Sequence, residues 1–556
     1  MRFSILPYLV SVAFCAAASP SLANVTILNS ATANMTCAAG VCSPTAADAV
    51  LNVQDLAKLL AAGNATVTTT GTGVEANNID LEAPLQWSAA TTLSLKAYRS
   101  VQFRGPVKVA GTGAVALTVN EGGSGGEFAC IDHGRLQFAN LSSALTINGT
   151  PYVLVDSVAS LASAIAADPS GAFALAENYD AKKDGIYASS PIPTVFTGTL
   201  QGLGNTISNL SINDPAKEAD VGLFAEIESG STISNVRLVN ESVQGSGWVG
   251  GLLGFGRGTI AHTFNTGIVS GGDAAVGGLV GEGGLVVSDS GSAAAVSGWN
   301  AGGLIGVADT GSISDSWATG NVSGSSQDVG GLVGLDAITA IKRSWASGQI
   351  SGGAYAGGLV GEDDDGPIER SYASGAVSCT LYCGGLVGWQ GGEYSSPGIS
   401  QCYATGSVTG GSSNVTTAGG LVGLQAGGKI SNSYALGAVT GGQWGVGGLV
   451  GADDGSPFSG SISASYAAGA IAGTNPLGGL IGSDETSIRH TYWDRTTSGI
   501  TNRSQGAGNI ANAPGIKGLS DSKLKSGLPK DFNPTIWAEN PDINNGLPYL
   551  IHNPPK

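Results

Sequence analysis

Apolar positions in the second half of this chain come in short clusters that recur, not in long periodic faces. The pentad GGLLG begins at Gly250. GGLVG or GGLIG then begins at Gly277, Gly302, Gly330, Gly357, Gly384, Gly419, Gly447 and Gly478, in steps of 27, 25, 28, 27, 27, 35, 28 and 31 residues. A degenerate earlier copy, VGLFA, begins at Val221. After each pentad comes a stretch such as GSISDSWATG (residues 311–320) or GKISNSYALG (428–437), then a short Val-Ser/Thr-Gly piece, as at Val322 and Val439. Each period holds three short β-like pieces separated by Gly-rich corners. None has the length or the 3.6-residue period of a helix.

A period of this size means a solenoid or a propeller. Propeller blades need about 40–45 residues, and the Leu-x-x-Leu-x-Leu run of a leucine-rich repeat is absent. The pattern therefore predicts an all-β fold, a parallel β-helix with coils of about 27 residues. Two columns are expected. The pentad leucines, from Leu252 through Leu359 to Leu480, should stack inside. Phe264, Trp317, Trp345, Tyr372, Tyr403, Tyr434, Tyr466 and Tyr492 should stack in a second column, interrupted by Gly291. Stacking between coils explains that second column better than a ligand platform does.

Outside the repeats the pattern changes. Residues 1–23 combine Arg2, an apolar run and Ser21-Leu22-Ala23, the form of a secretory signal cut after Ala23. Residues 24–150 are a β-rich, β-helix-like segment with a short amphipathic helix at 53–62. Residues 151–215 read as a connection with a helix at 158–167, which ends before Asp168-Pro169. The repeat β-helix is expected over 216–499 and a C-terminal cap over 500–556, since an open solenoid end must be covered.

The pentad followed by I-x-x-S-[YW]-A-x-G-x-V-x-G resembles the GLUG repeat. FTGTLQGLGNTISNLSI (196–212) is similar to the lead-in such repeats have, and YWDRTTSG (492–499) to their exit. The resemblance covers roughly residues 190–550. It implies an extracellular β-helix like those of filamentous-haemagglutinin-like bacterial adhesins and, with that, adhesion. Some secreted zinc peptidases that cleave IgA carry the repeat in their non-catalytic part.

Composition narrows the partners. The chain has 556 residues, 89 of them Gly, only 12% charged residues and a net charge of −17. An acidic chain without a Lys/Arg cluster is a poor nucleic-acid or anionic-membrane binder. No stretch after Ala23 could span a membrane as a helix. Nor is the sequence after the last repeat long enough for a C-terminal barrel of membrane strands, so self-translocation is not expected. Secretion or cell-surface display follows, with a periplasmic location still open. Cys37, Cys42, Cys130, Cys379, Cys383 and Cys402 remain after the leader and permit disulfides, Cys37–Cys42 and Cys379–Cys383 being the local pairs.

Catalytic motifs are missing. His133, His262, His490 and His552 offer no His-Glu-x-x-His, and GGSGG at 122–126 matches a nucleophile elbow only through its Gly content. Two constellations stand out. The corner after the pentad is acidic, above all at Glu362, Asp363, Asp364 and Asp365. Carboxylates there could bind calcium, could act as the acid pair of a polysaccharide hydrolase, or could simply solvate the corner. Just before the pentad stand Trp248, Trp299, Tyr355, Tyr382 and Trp444, which could stack on sugar rings or cover the corner's apolar edge. The reading is a non-enzymatic, adhesin-like binding protein with no cofactor beyond that calcium, whose partner is a host or matrix glycan or a surface protein. The alternatives are a β-helical carbohydrate-active enzyme using the acidic edge and a structural spacer of an extracellular matrix.

Overall fold

The computed structural model describes residues 23–324, 327–392, 398–413, 415–455, 460–474 and 476–556. The leader expected over 1–23 lies outside them, Ala23 excepted. Strand makes up 48% of the structure and helix 6%, in parallel coils stacked into a β-solenoid of about 18 turns.

One repeat makes five short strands where the pattern suggests three pieces. In one coil they are Val333–Asp336, Ala340–Lys342, Trp345–Ala346, Ile350–Gly352 and Tyr355–Gly357. The first two lie on one wall, the next two on a second and the last on a third. Every strand pairs in parallel with its equivalents one coil away, so like residues stack, as in Ile313–Ile341–Ile368. The pentad leucines are fully buried, and each donates its amide to the carbonyl of the next, as from Leu332 to Leu359 at 2.8 Å. The first pentad Gly is fixed by close approach: a Cβ on Gly357 would lie 1.8 Å from the Val360 carbonyl oxygen.

The corner between the first and second walls is a column of non-glycine residues with positive φ. Asn235, His262, Asp289, Asp315, Arg343, Arg370, Gln401, Asn432, Ala464 and His490 have φ between 46° and 58°. Such residues are strained by about 1–2 kcal/mol each, so the corner needs bonds that hold it. In most coils the residue after the corner supplies them. Ser290, Ser316, Ser344, Ser371, Ser433 and Ser465 are buried. Each hydroxyl donates to the carbonyl two residues earlier, at 2.7–3.0 Å. It also accepts the amide of its equivalent one coil back, Ser316 N–H to Ser344 Oγ at 3.2 Å being one case. Cys402 takes the same place, its sulfur 3.4 Å from the Ser371 nitrogen.

The aromatic column forms in the expected register, Trp317–Trp345–Tyr372–Tyr403–Tyr434–Tyr466–Tyr492. Ring centroids from Trp317 to Tyr466 are 4.8–5.8 Å apart. Trp317 lies over Gly291 and reaches Phe264 at 5.2 Å, so the missing ring leaves no break.

Residues 25–154, joined by Ala174, Ala176 and Leu203, enclose a second apolar core. Helix α1 (Val53–Ala62) buries Val53, Leu56 and Leu60 there and is capped by the Asn52 side chain. Helix α2 (Val158–Ala167) opens on a Ser157–Ser160 capping box and packs on the solenoid core through Val158, Leu161 and Ile165. Both helices occupy the residues the sequence predicts. Disulfides join Cys37 to Cys42 and Cys379 to Cys383, while Cys130 and Cys402 are free and buried. After the last coil, Ile516–Leu519 adds a strand to Thr491–Asp494. From helix α3 (Asp521–Leu524) on, the chain turns back along the second wall and covers the aromatic column. Trp537, Phe532, Leu547 and Leu550 bury against Tyr434, Tyr466 and their neighbours. The Tyr492, Tyr466 and Tyr403 hydroxyls donate to the carbonyls of Lys530, Pro548 and Pro554 in turn.

Candidate functional site

The third wall and the corner that follows it carry most of the sequence-predicted site residues. Their placement follows from coil register. Tyr355 pairs with Tyr382 on adjacent third-wall strands. Glu362 pairs with Trp389 on the first-wall strands that leave the corner.

Tyr355 and Tyr382 stack with ring centroids 5.0 Å apart and planes 12° apart. Trp389 stacks on Tyr355 from the far side of the corner at 6.4 Å, and Trp444 meets Tyr382 at 6.5 Å. Four half-exposed rings thus form one strip across successive coils. Trp248 lies apart, stacked on Phe255 at 4.9 Å. Trp299 is 38% exposed and makes no ring contact among the described residues. Of the five aromatics expected, the structure joins three and adds Trp389. The sequence signal for Trp389 was its place directly after the pentad, which register sets opposite the third-wall ring of a neighbouring coil.

The acidic run does not converge. Along an extended chain successive side chains point to opposite faces. Burial alternates accordingly: Glu362 and Asp364 are half-exposed, while Asp363 and Asp365 are buried. Asp364 and Asp365 lie in the bend after the strand Val360–Asp363, and among the described residues the four carboxylates expected to hold calcium do not form a group of donor atoms close enough to share one ion. Asp363 pairs in register with Asp336, also buried. Their carboxylates accept backbone amides, of Gly366 at 2.9 Å and Thr339 at 2.7 Å. Burial pushes both carboxyls up, Asp336 to about 8, and the Asp336 carboxylate raises Asp363 further. The column continues through buried Gln390 and Gln425, where an apolar interior would be expected.

A second acid joins Glu362 on the outer side. Asp328, one coil before Tyr355 in the same column, is 2% exposed. Burial and a hydrogen bond with the Glu362 carboxylate push its pKa up to about 9. The pair, at the edge of the ring strip, therefore holds a proton more readily than a free carboxylate does. This pair could not be read from the sequence, because the two residues lie 34 positions apart and meet only through the coil stack. Chemically the strip offers flat apolar faces with the half-exposed Glu362 carboxylate as an acceptor at their rim.

The chain carries the GLUG motif: the family model of that description matches residues 297–323. It is 35% identical to halomucin of Haloquadratum walsbyi over 44% of this chain, and the matched part is 3% of that protein's length. Among solved structures an IgA1 protease shares 21% identity over 44% of this chain and 20% of its own, with a TM-score of 0.35. A likeness of that size carries no argument about function.

Proposed function

We propose that this protein is a secreted or surface-displayed, non-enzymatic binding protein, adhesin-like, that presents its third wall to glycans or to surface proteins. The observation that carries the reading is the contiguous strip Trp389–Tyr355–Tyr382–Trp444 on a rigid stack of coils. Aromatic faces of this kind stack on the apolar faces of sugar rings. The half-exposed Glu362 carboxylate is placed to accept from sugar hydroxyls at the rim. Two disulfides support an oxidising, extracytoplasmic location, and no described helix is long and apolar enough to cross a membrane. The GLUG motif is in keeping with that reading.

The enzyme reading has less support. Glycoside hydrolases hold their two carboxyl groups about 5 Å or more apart, whereas Asp328 and Glu362 are hydrogen-bonded to each other. The test is a glycan-array and matrix-protein screen of the purified protein, followed by Tyr382→Ala and Trp389→Ala. Binding that is lost in both variants supports the strip as the site. Binding that survives both moves the site elsewhere, and a screen with no ligand at all favours a structural spacer.

A further inference from the structure

The residue 127–136 segment of the N-terminal unit runs along the positive-φ corner of the first repeat coils. Asn235 pins it there: its amide group accepts from the Cys130 backbone nitrogen at 2.8 Å and donates to the Phe128 carbonyl at 3.1 Å. The Leu136 amide donates to the Leu203 carbonyl at 2.9 Å. At the other end of this seam Glu127 meets the next two corner residues, His262 and Asp289. Donor atoms of the three side chains all lie within 4.8 Å of one another, the only such group of three among the described residues.

The contact between Glu127 and His262 is not a finished hydrogen bond. A Glu127 oxygen is 3.0 Å from His262 Nε2. That nitrogen is nevertheless sealed from solvent, and no hydrogen bond of good geometry reaches it. Asp289 brings a second carboxylate to the same point, so two like charges face one imidazole. A cation in front of Nε2 resolves all three features. It fills the in-plane direction of the nitrogen, offsets the carboxylate repulsion, and places two donors about 3 Å apart, as expected when each lies about 2.0–2.2 Å from one metal. One imidazole and two carboxylates suit a divalent first-row metal such as Zn²⁺ better than an all-oxygen Ca²⁺ cage. His262 and Asp289 sit on stacked coils and Glu127 on the other unit. The ion would therefore clamp the N-terminal unit to the repeat solenoid.

We infer that Glu127, His262 and Asp289 form a divalent transition-metal site that staples the N-terminal unit to the first GLUG coils. The site borders a groove of about 430 Å³ lined by Arg237, Phe264 and Trp317, which leaves room for water to complete the coordination. The inference is independent of the binding function proposed for the third wall.

The probe is ZnCl₂ with metal-free full-length protein, read by calorimetry and by competition with a chromogenic chelator. One tight equivalent is expected, with hydrogen exchange of residues 127–136 slowed when it binds. His262→Asn tests the ligand without straining the corner, since Asn235 and Asn432 already hold positive φ in that column. It should abolish the tight site, as should Glu127→Gln, an exposed position. His490→Asn changes the other histidine of the same column and should leave the site intact. No zinc binding by the wild type, tight binding that survives His262→Asn or Glu127→Gln, or Ca²⁺ bound in preference to Zn²⁺ would each overturn the assignment.

Discussion

Replacing Ser344 by Ala isolates the device that turns every coil from its first wall to its second. The Ser344 hydroxyl accepts the Ser316 amide at 3.2 Å and donates to the Lys342 carbonyl at 2.9 Å. That carbonyl keeps a second partner, the Asp315 amide at 3.1 Å. The Ser316 amide keeps none and sits in a residue with no exposed surface. One orphaned buried amide costs about 1–3 kcal/mol. Because solenoid coils are coupled mainly to their neighbours, the cost should stay local. Hydrogen exchange resolved by peptide is therefore the assay. Amides of residues 311–320 should exchange about 5- to 150-fold faster, the factor that 1–3 kcal/mol implies at 1.36 kcal/mol per decade. Ser351→Ala, which removes an exposed hydroxyl from the outer face, should change nothing. Ser344→Cys should lose less than Ser344→Ala, since Cys402 already fills this position with its sulfur 3.4 Å from the accepted amide. Unchanged exchange over 311–320 in Ser344→Ala, or equal damage from Cys and Ala, would show that the hydroxyl column does not hold the corner.

Two further outcomes follow from buried groups. Burial raises the Glu241 carboxyl to about 8, against the pull of the Asn265 amide that donates to it. The folded state therefore binds an extra proton between about pH 4.5 and pH 8, so stability falls as pH rises through that window. The melting temperature should drop from pH 5 to pH 9, and Glu241→Gln should flatten part of that slope, leaving the share due to Asp328 and Asp336; a variant slope equal to the wild type's would refute the assignment. Trp537, fully buried against Phe532 at 4.6 Å and Tyr466 at 5.9 Å, should cost about 3–5 kcal/mol on truncation to Ala. Proteases should then remove residues 521–556 while the coils stay intact, and an undigested tail would contradict the docking.

Much of this molecule is one-dimensional, and that part was legible in the sequence. A repeat stacks like on like, so the pentad leucines and the aromatic column could be read as ladders, and their register followed from the period alone. The two helices were legible because Asn52 and Ser157 cap short apolar faces. The opposite facing of Glu362 and Asp363 was legible in principle, from the alternation of a strand. What the period cannot encode is which residues of different columns meet at a corner. The Asp328–Glu362 pair and the contact of Trp389 with Tyr355 depend on side chains crossing from the third wall to the first.

Non-repeating segments were harder still. The sequence showed a terminal segment with Trp537 and several prolines, and an end cap was the natural expectation. Only the tertiary structure laid it along the aromatic column, where the Tyr492, Tyr466 and Tyr403 hydroxyls find its carbonyls. The Glu127–His262–Asp289 group likewise spans 162 residues of sequence and exists only because Asn235 docks one unit against the other. Repetition fixes neighbours along the solenoid axis through identical backbone pairing. Contacts across the axis are set by the shapes and polar groups of unrelated segments, and those are decided only when the chain has folded.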